Sequence, residues 1–144
     1  MKNIYLLDTN IISLVTKPEP YESLITNLEL HTGTCVISSI TWYELKNGIE
    51  LLDESSKKDK LRTFLTDYVQ SAFPVIPYDI HAASINADIT SKLLPLGKVT
   101  PILDTQIASI AIANNLILVT NNSKDYKVYT DHFNLMLEDW TKSS

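Results

Sequence analysis

IYLLDTN, residues 4–10, runs several apolar side chains together and ends them against a carboxylic acid, Asp8. Strict alternation of apolar and polar residues marks a strand with one wet face. Consecutive apolar residues mark a strand covered on both faces, which calls for parallel neighbours beneath helices. TCVI at 34–37 and LILVT at 116–120 share this pattern, and weaker strands are expected at VIP, 75–77, and LML, 135–137. An ionised Asp8 beside Ile4, Leu6 and Leu7 needs compensation, so a cationic partner is expected.

Between these runs lie helical spacings. Tyr21, Leu24, Ile25 and Leu28 share one face, as do Leu61, Phe64, Leu65, Tyr68 and Val69, the latter set preceded by a capping-box arrangement of Ser56 and Asp59. Both faces read first as core. Asp79 is placed as the N-cap of a helix through about Lys92, on which Asp88 and Lys92 read as a solvated i, i+4 ion pair. ILDTQIASIAIANN, 102–115, is apolar almost all round and predicts a central helix opened by Thr100 and Pro101. Strand and helix alternate, so the fold class is α/β with a mainly parallel sheet.

At 144 residues, 44% hydrophobic and 20% charged, the chain fits one domain with a core of its own. Cys35 is the sole cysteine and reads as a small buried strand residue, which excludes an internal disulfide and a thiolate zinc cage. His31, His81 and His132 are too scattered for a zincin pair, and neither a G-x-S-x-G elbow nor a glycine-rich phosphate loop is present. With no signal-peptide pattern and no run of eighteen apolar residues, a cytoplasmic location without membrane contact is expected. The net charge of −5, with Arg62 the only arginine, is the wrong sign for a broad basic nucleic-acid face. Surplus acid serves a function where carboxylates converge on a cation.

Ligands of parallel sheets collect beyond the carboxyl ends of the strands, where Asp8 stands. Glu44 follows the second strand on the next helix, and with Thr41 it also matches a T-x-x-E capping box that would need no catalysis. Asp104 opens the most apolar helix, where a helix-dipole contribution of about 0.3–1 kcal/mol is small against the cost of burial, so a partner is expected. Asp125, after LILVT, reads either as a turn or cap residue or as a fourth functional acid. Four carboxylates repel one another unless a hard divalent ion, Mg²⁺ or Mn²⁺, sits among them. The chemistry that follows is phosphodiester hydrolysis by activated water.

LLDTNIIS at 6–13, ISSITWYELKNG at 37–48, LDTQIASIAIANNLILVTNNSKDY at 103–126 and LEDW at 137–140 together resemble a PIN-domain protein, of the VapC toxin ribonuclease type. The resemblance spans nearly the whole chain. It implies one PIN-like domain over 1–144, a three-layer sandwich with helices on both faces of the sheet. It also implies a Mg²⁺ or Mn²⁺ site of Asp8, Glu44 and Asp104 with Asp125 as the more variable fourth acid, supported by Thr9, Asn10, Thr120 and Asn121. The implied function is a metal-dependent endoribonuclease, toxin of a toxin–antitoxin pair. The implied partners are RNA, in the nearest subgroup the anticodon loop of initiator tRNA, a protein antitoxin and a second copy of the chain. The helices around Tyr21–Leu28 and Leu61–Val69 would then also form a groove for an antitoxin helix. Lys46, Lys98, Lys124 and Lys127 are expected near the pocket, as phosphate contacts or as ordinary solvated lysines. The rival readings are a non-catalytic metal- or RNA-binding module acting in autoregulation, and a PIN nuclease of RNA maturation or of structured DNA.

Overall fold

The computed structural model describes residues 2–143. The five strands β1 (Tyr5–Leu7), β2 (Cys35–Ser38), β3 (Val75–Ile76), β4 (Ile117–Val119) and β5 (Met136–Glu138) form one sheet in the order β3-β2-β1-β4-β5. Every pairing is parallel, with Leu6 opposite both Val36 and Leu118. All five expected strands are present, each with slightly shifted ends.

The consecutive apolar residues split between the two faces. Leu6, Val36 and Leu118 pack against α6 (Ile80–Leu93), α7 (Ile102–Ala113) and α8 (Ser123–His132). Leu7, Cys35, Ile37 and Val119 meet α1 (Thr9–Val15), α2 (Glu22–Leu30) and Trp140. Because successive strand side chains point to opposite faces, an unbroken apolar run feeds two cores at once. The central helix is buried as its composition demands, with Ile107, Ala108, Ile110 and Ala111 inaccessible to solvent.

Local chemistry corrects several expectations. Helix α3 (Ser39–Glu50) is capped by Ser38, whose hydroxyl accepts from the Thr41 N–H at 3.0 Å, so Thr41 lies inside the helix and forms no capping box with Glu44. Helix α4 (Ser56–Thr63) is capped by Ser55 rather than Ser56. It continues through a π-helical stretch, Phe64–Val69, into α5 (Gln70–Ala72). Pro101 is the N-cap of α7. Asp79 caps α6 as expected. Asp88 and Lys92 form no ion pair among the described residues; the Lys92 ammonium instead lies 5.8 Å from the centre of the Phe133 ring. Asn115, at φ 55°, turns the chain out of α7 and into β4, a left-handed conformation that asparagine tolerates.

Candidate functional site

Three carboxylates line one open hollow of about 390 Å³ at the carboxyl end of the sheet: Asp8, Glu44 and Asp104. Asp8 directly follows β1 and is the N-cap of α1, accepting from the Thr9 N–H at 2.8 Å. Glu44 enters from the second turn of α3, which begins without a loop after β2. Asp104 sits in the first turn of α7.

Among the described residues no Lys, Arg or His side chain pairs with Asp8. The carboxylate is 5% exposed and takes hydrogen bonds instead, from Thr120 Oγ1 at 2.8 Å and more weakly from Asn10 Nδ2 at 3.4 Å. Burial raises its pKa to about 6, the hydrogen bonds from Thr120 and the Thr9 N–H pull against the rise, and the Asp104 and Glu44 charges add to it. Asp104 is also pushed up, first by burial and further by the nearby Asp125 charge, against a hydrogen bond from the Tyr126 hydroxyl at 3.4 Å. Tyr126 itself is buried and strongly raised, so it stays a donor. The Thr9 hydroxyl donates to Glu44 Oε1 at 2.7 Å and lies 3.0 Å from Thr41 Oγ1. None of the three acids has a Lys, Arg or His ion-pair partner among the described residues.

The supporting polar residues form a frame. Asn10 Nδ2 donates to Thr120 Oγ1 at 3.2 Å, Asn10 Oδ1 accepts from the Asn121 N–H at 3.1 Å, and Thr120 Oγ1 accepts from the Asn122 N–H at 3.0 Å. These bonds tie the end of β4 to the start of α1. Asn121 Oδ1 in turn accepts from Thr141 Oγ1 at 2.9 Å.

Asp125 does not line the acid hollow, although its charge lies close enough to raise Asp104. It is exposed in the first turn of α8 and lines a neighbouring cavity with Asn121, Asn122, Lys124 and Lys142. Of the lysines expected near the pocket, Lys46 pairs with Glu50 at 3.1 Å, Lys127 pairs with Asp131 at 3.0 Å, and Lys124 lines that neighbouring cavity. The cation that lines the acid hollow is Lys17, which follows α1 in a polar stretch with no periodic signal. Tyr126 was equally silent as a site residue, although its spacing to Tyr129 marks the buried face of α8.

Among the described residues no three Asp, Glu, His or Cys side chains close into a compact ligand cage. The acids in the hollow offer oxygen donors alone, the chemistry that suits a hard divalent cation keeping part of its water shell. Carboxylates without protein cations, with Asp8 raised first by burial and further by the Asp104 and Glu44 charges, are the donor set such an ion would relieve.

A family model for the PIN domain matches residues 5–130. Ribonuclease VapC2 of Rickettsia felis is 36% identical over 141 residues, covering 96% of this chain and 99% of the relative. The tRNA(fMet)-specific endonuclease VapC of Shigella flexneri is 31% identical over 137 residues, covering 95% and 98%. VapBC2 from Rickettsia felis, solved bound to a DNA fragment from its promoter, is similar over 95% of this chain and 98% of that one, at 33% identity and a TM-score of 0.79. The sheet, the ordered acids and these likenesses agree: the chain belongs to the PIN-domain family.

Proposed function

We propose that this chain is a divalent-metal-dependent endoribonuclease, the toxin of a toxin–antitoxin pair, acting as one domain across residues 1–144. The observation that carries the reading is Asp8, a buried carboxylate without a cationic partner, facing the same hollow as Glu44 and Asp104. The ribonuclease and tRNA(fMet)-specific endonuclease relatives support RNA, and tRNA in particular, as substrate. The VapBC2 complex among the similar structures supports a protein antitoxin as partner.

Asp8, Glu44 and Asp104 would hold the ion, Mg²⁺ or Mn²⁺, with the Asp125 carboxylate adding negative charge from the adjoining cavity. A bound divalent ion supplies Lewis acidity toward the phosphoryl group and toward water. The chain contributes orientation. Thr120 and the Thr9 N–H hold the Asp8 carboxylate by one oxygen each, Thr9 Oγ1 holds Glu44, and Tyr126 directs Asp104. Such fixed positioning removes reorganisation from the reaction step.

Self-association is part of the proposal. Leu94, Leu96, Val99 and Ile102 are all exposed between the end of α6 and the start of α7, an apolar surface suited to a second copy. None of the helices in the described residues is long and apolar enough to cross a membrane, in keeping with a proposed cytoplasmic site of action.

The test is to incubate antitoxin-free protein with total tRNA, with and without Mg²⁺, and sequence the fragment ends. Cleavage at a defined site is expected with Mg²⁺ or Mn²⁺. It should vanish in EDTA and in Asp8→Asn, Glu44→Gln and Asp104→Asn proteins that keep their circular dichroism spectra. Cutting that persists in EDTA or in the folded variants overturns the metal-dependent reading, and binding without cutting favours the non-catalytic module.

A further inference from the structure

Three cavities adjoin along the face that carries the acids. A groove of about 690 Å³ beside α1, α3 and α4 shares Thr9, Lys17 and Glu44 with the acid hollow. On the other side, the cavity of about 320 Å³ at the start of α8 shares Asn121 and Asn122 with the same hollow. The result is a continuous trough with the carboxylates at its middle.

Lysines line the trough, with Lys17, Lys57 and Lys60 along the groove, Lys17 alone of these in the acid hollow, and Lys124 and Lys142 in the cavity at the start of α8. Lys46, Lys58, Arg62 and Lys127 are each committed to carboxylates elsewhere. Lys17 flanks the acids on one side and Lys124 and Lys142 flank them on the other; all are exposed, and none forms an ion pair among the described residues. Lys17 lines the same hollow as three carboxylates yet bonds none of them. In a chain of net charge −5, a polyanion approaching the acids meets repulsion unless local cations offset it.

We propose that Lys17 on one side, and Lys124 with Lys142 on the other, hold the RNA phosphates that flank the scissile one. The inference rests on the endoribonuclease reading. Phosphate contacts of this kind set register and orientation without reading base identity. The lysines therefore act in substrate binding, and the chemical step is left to the acids.

The experiment uses full-length Lys17→Gln and Lys124→Gln/Lys142→Gln proteins, the corresponding arginine variants, and Lys2→Gln as a control at an exposed lysine outside the trough. Against the tRNA cut by the parent protein, each glutamine variant is expected to raise KM roughly tenfold with kcat within about twofold, because a charge-assisted contact is lost. Arginine should restore KM, and the log–log salt slope should fall by roughly 0.7 for each single-strand phosphate contact removed. A KM and salt slope matching Lys2→Gln overturn the proposal, as does unchanged RNA kinetics with weakened inhibition by the antitoxin. Binding of a fluorescein-labelled single-stranded RNA oligomer to Asp104→Asn protein, with and without the lysine changes, needs no turnover. If that binding depends on the lysines while the parent cuts no RNA, the trough stands and the endoribonuclease reading falls; cutting with lysine-independent binding gives the reverse.

Discussion

Thr120 Oγ1 donates to Asp8 Oδ2 at 2.8 Å, joining residues 112 positions apart. The contact exists because β1 and β4 are paired with Leu7 opposite Val119, so the residues that follow leave the sheet side by side. Replacing Thr120 by Val removes this donor from a buried carboxylate and also strips an acceptor from Asn10 Nδ2 and the Asn122 N–H. Thr120→Val should lose about 1–3 kcal/mol of stability in urea titration and bind Mn²⁺ more weakly by electron paramagnetic resonance, while Thr120→Ser keeps both. Equal Mn²⁺ affinity in the Val variant would show that Asp8 needs no such support.

Metal-free protein should lose stability as pH rises. The folded state holds the Asp8 proton with a pKa of about 6, above the ordinary 3.8, so between these values the folded state binds more protons than the unfolded chain. The penalty is absent below the lower value, grows through the window and is complete above the upper one, where it reaches on the order of 3 kcal/mol. In EDTA, denaturant midpoints of the parent should fall from pH 5 to 7.5, whereas Asp8→Asn should flatten that dependence and be the more stable protein at pH 7.5. Added Mg²⁺ should stabilise the parent and leave the variant nearly unchanged. Parallel pH slopes for the two proteins would refute the assignment.

Lys58 is 5% exposed, and its ammonium donates to the Glu50 and Leu52 carbonyls at 3.2 and 2.8 Å and to Glu54 Oε1 at 3.0 Å. It closes the carboxyl end of α3, the helix that carries Glu44. Lys58→Met keeps the aliphatic stem but leaves two carbonyls without their donor, so thermal and urea unfolding should show a loss of about 2–3 kcal/mol. Under conditions where the variant is folded, kcat should match the parent.

Cys35 is 5% exposed and its thiol is pushed up to about 11 by burial. At pH 8 the native protein should leave Ellman's reagent unreacted on the timescale in which guanidine-unfolded chain reacts fully. Prompt labelling of the native state would mean that β2 opens readily.

Much of this was written in local pattern. Unbroken apolar runs at 4–7, 34–37 and 116–120 foretold strands buried on two faces, and the rule of carboxyl-end ligands singled out Asp8. Asp104 was legible because an acid on an apolar helix asks for a reason. Other parts of the site carry only weak local signals. Helix α1 is 7 residues long and begins on the site itself, too short to show a period. Helix α8 is polar apart from Tyr126, Val128 and Tyr129. Several hydroxyl residues stand together before α3, so the T-x-x-E spacing points to Thr41 although Ser38 makes the cap.

Composition and periodicity thus settled which segments are buried and which chemical groups end up beside them, because hydrophobic burial acts on neighbours along the chain. Which groups meet is another matter. That Thr120 would hold Asp8, that Lys17 and not Lys46 would line the acid hollow, and that Asp125 would line the adjoining cavity were decided only in three dimensions. Strand order, helix rotation and the angle at which each loop leaves the sheet set those distances, and electrostatics at a site follows distance, which no spacing in the chain encodes.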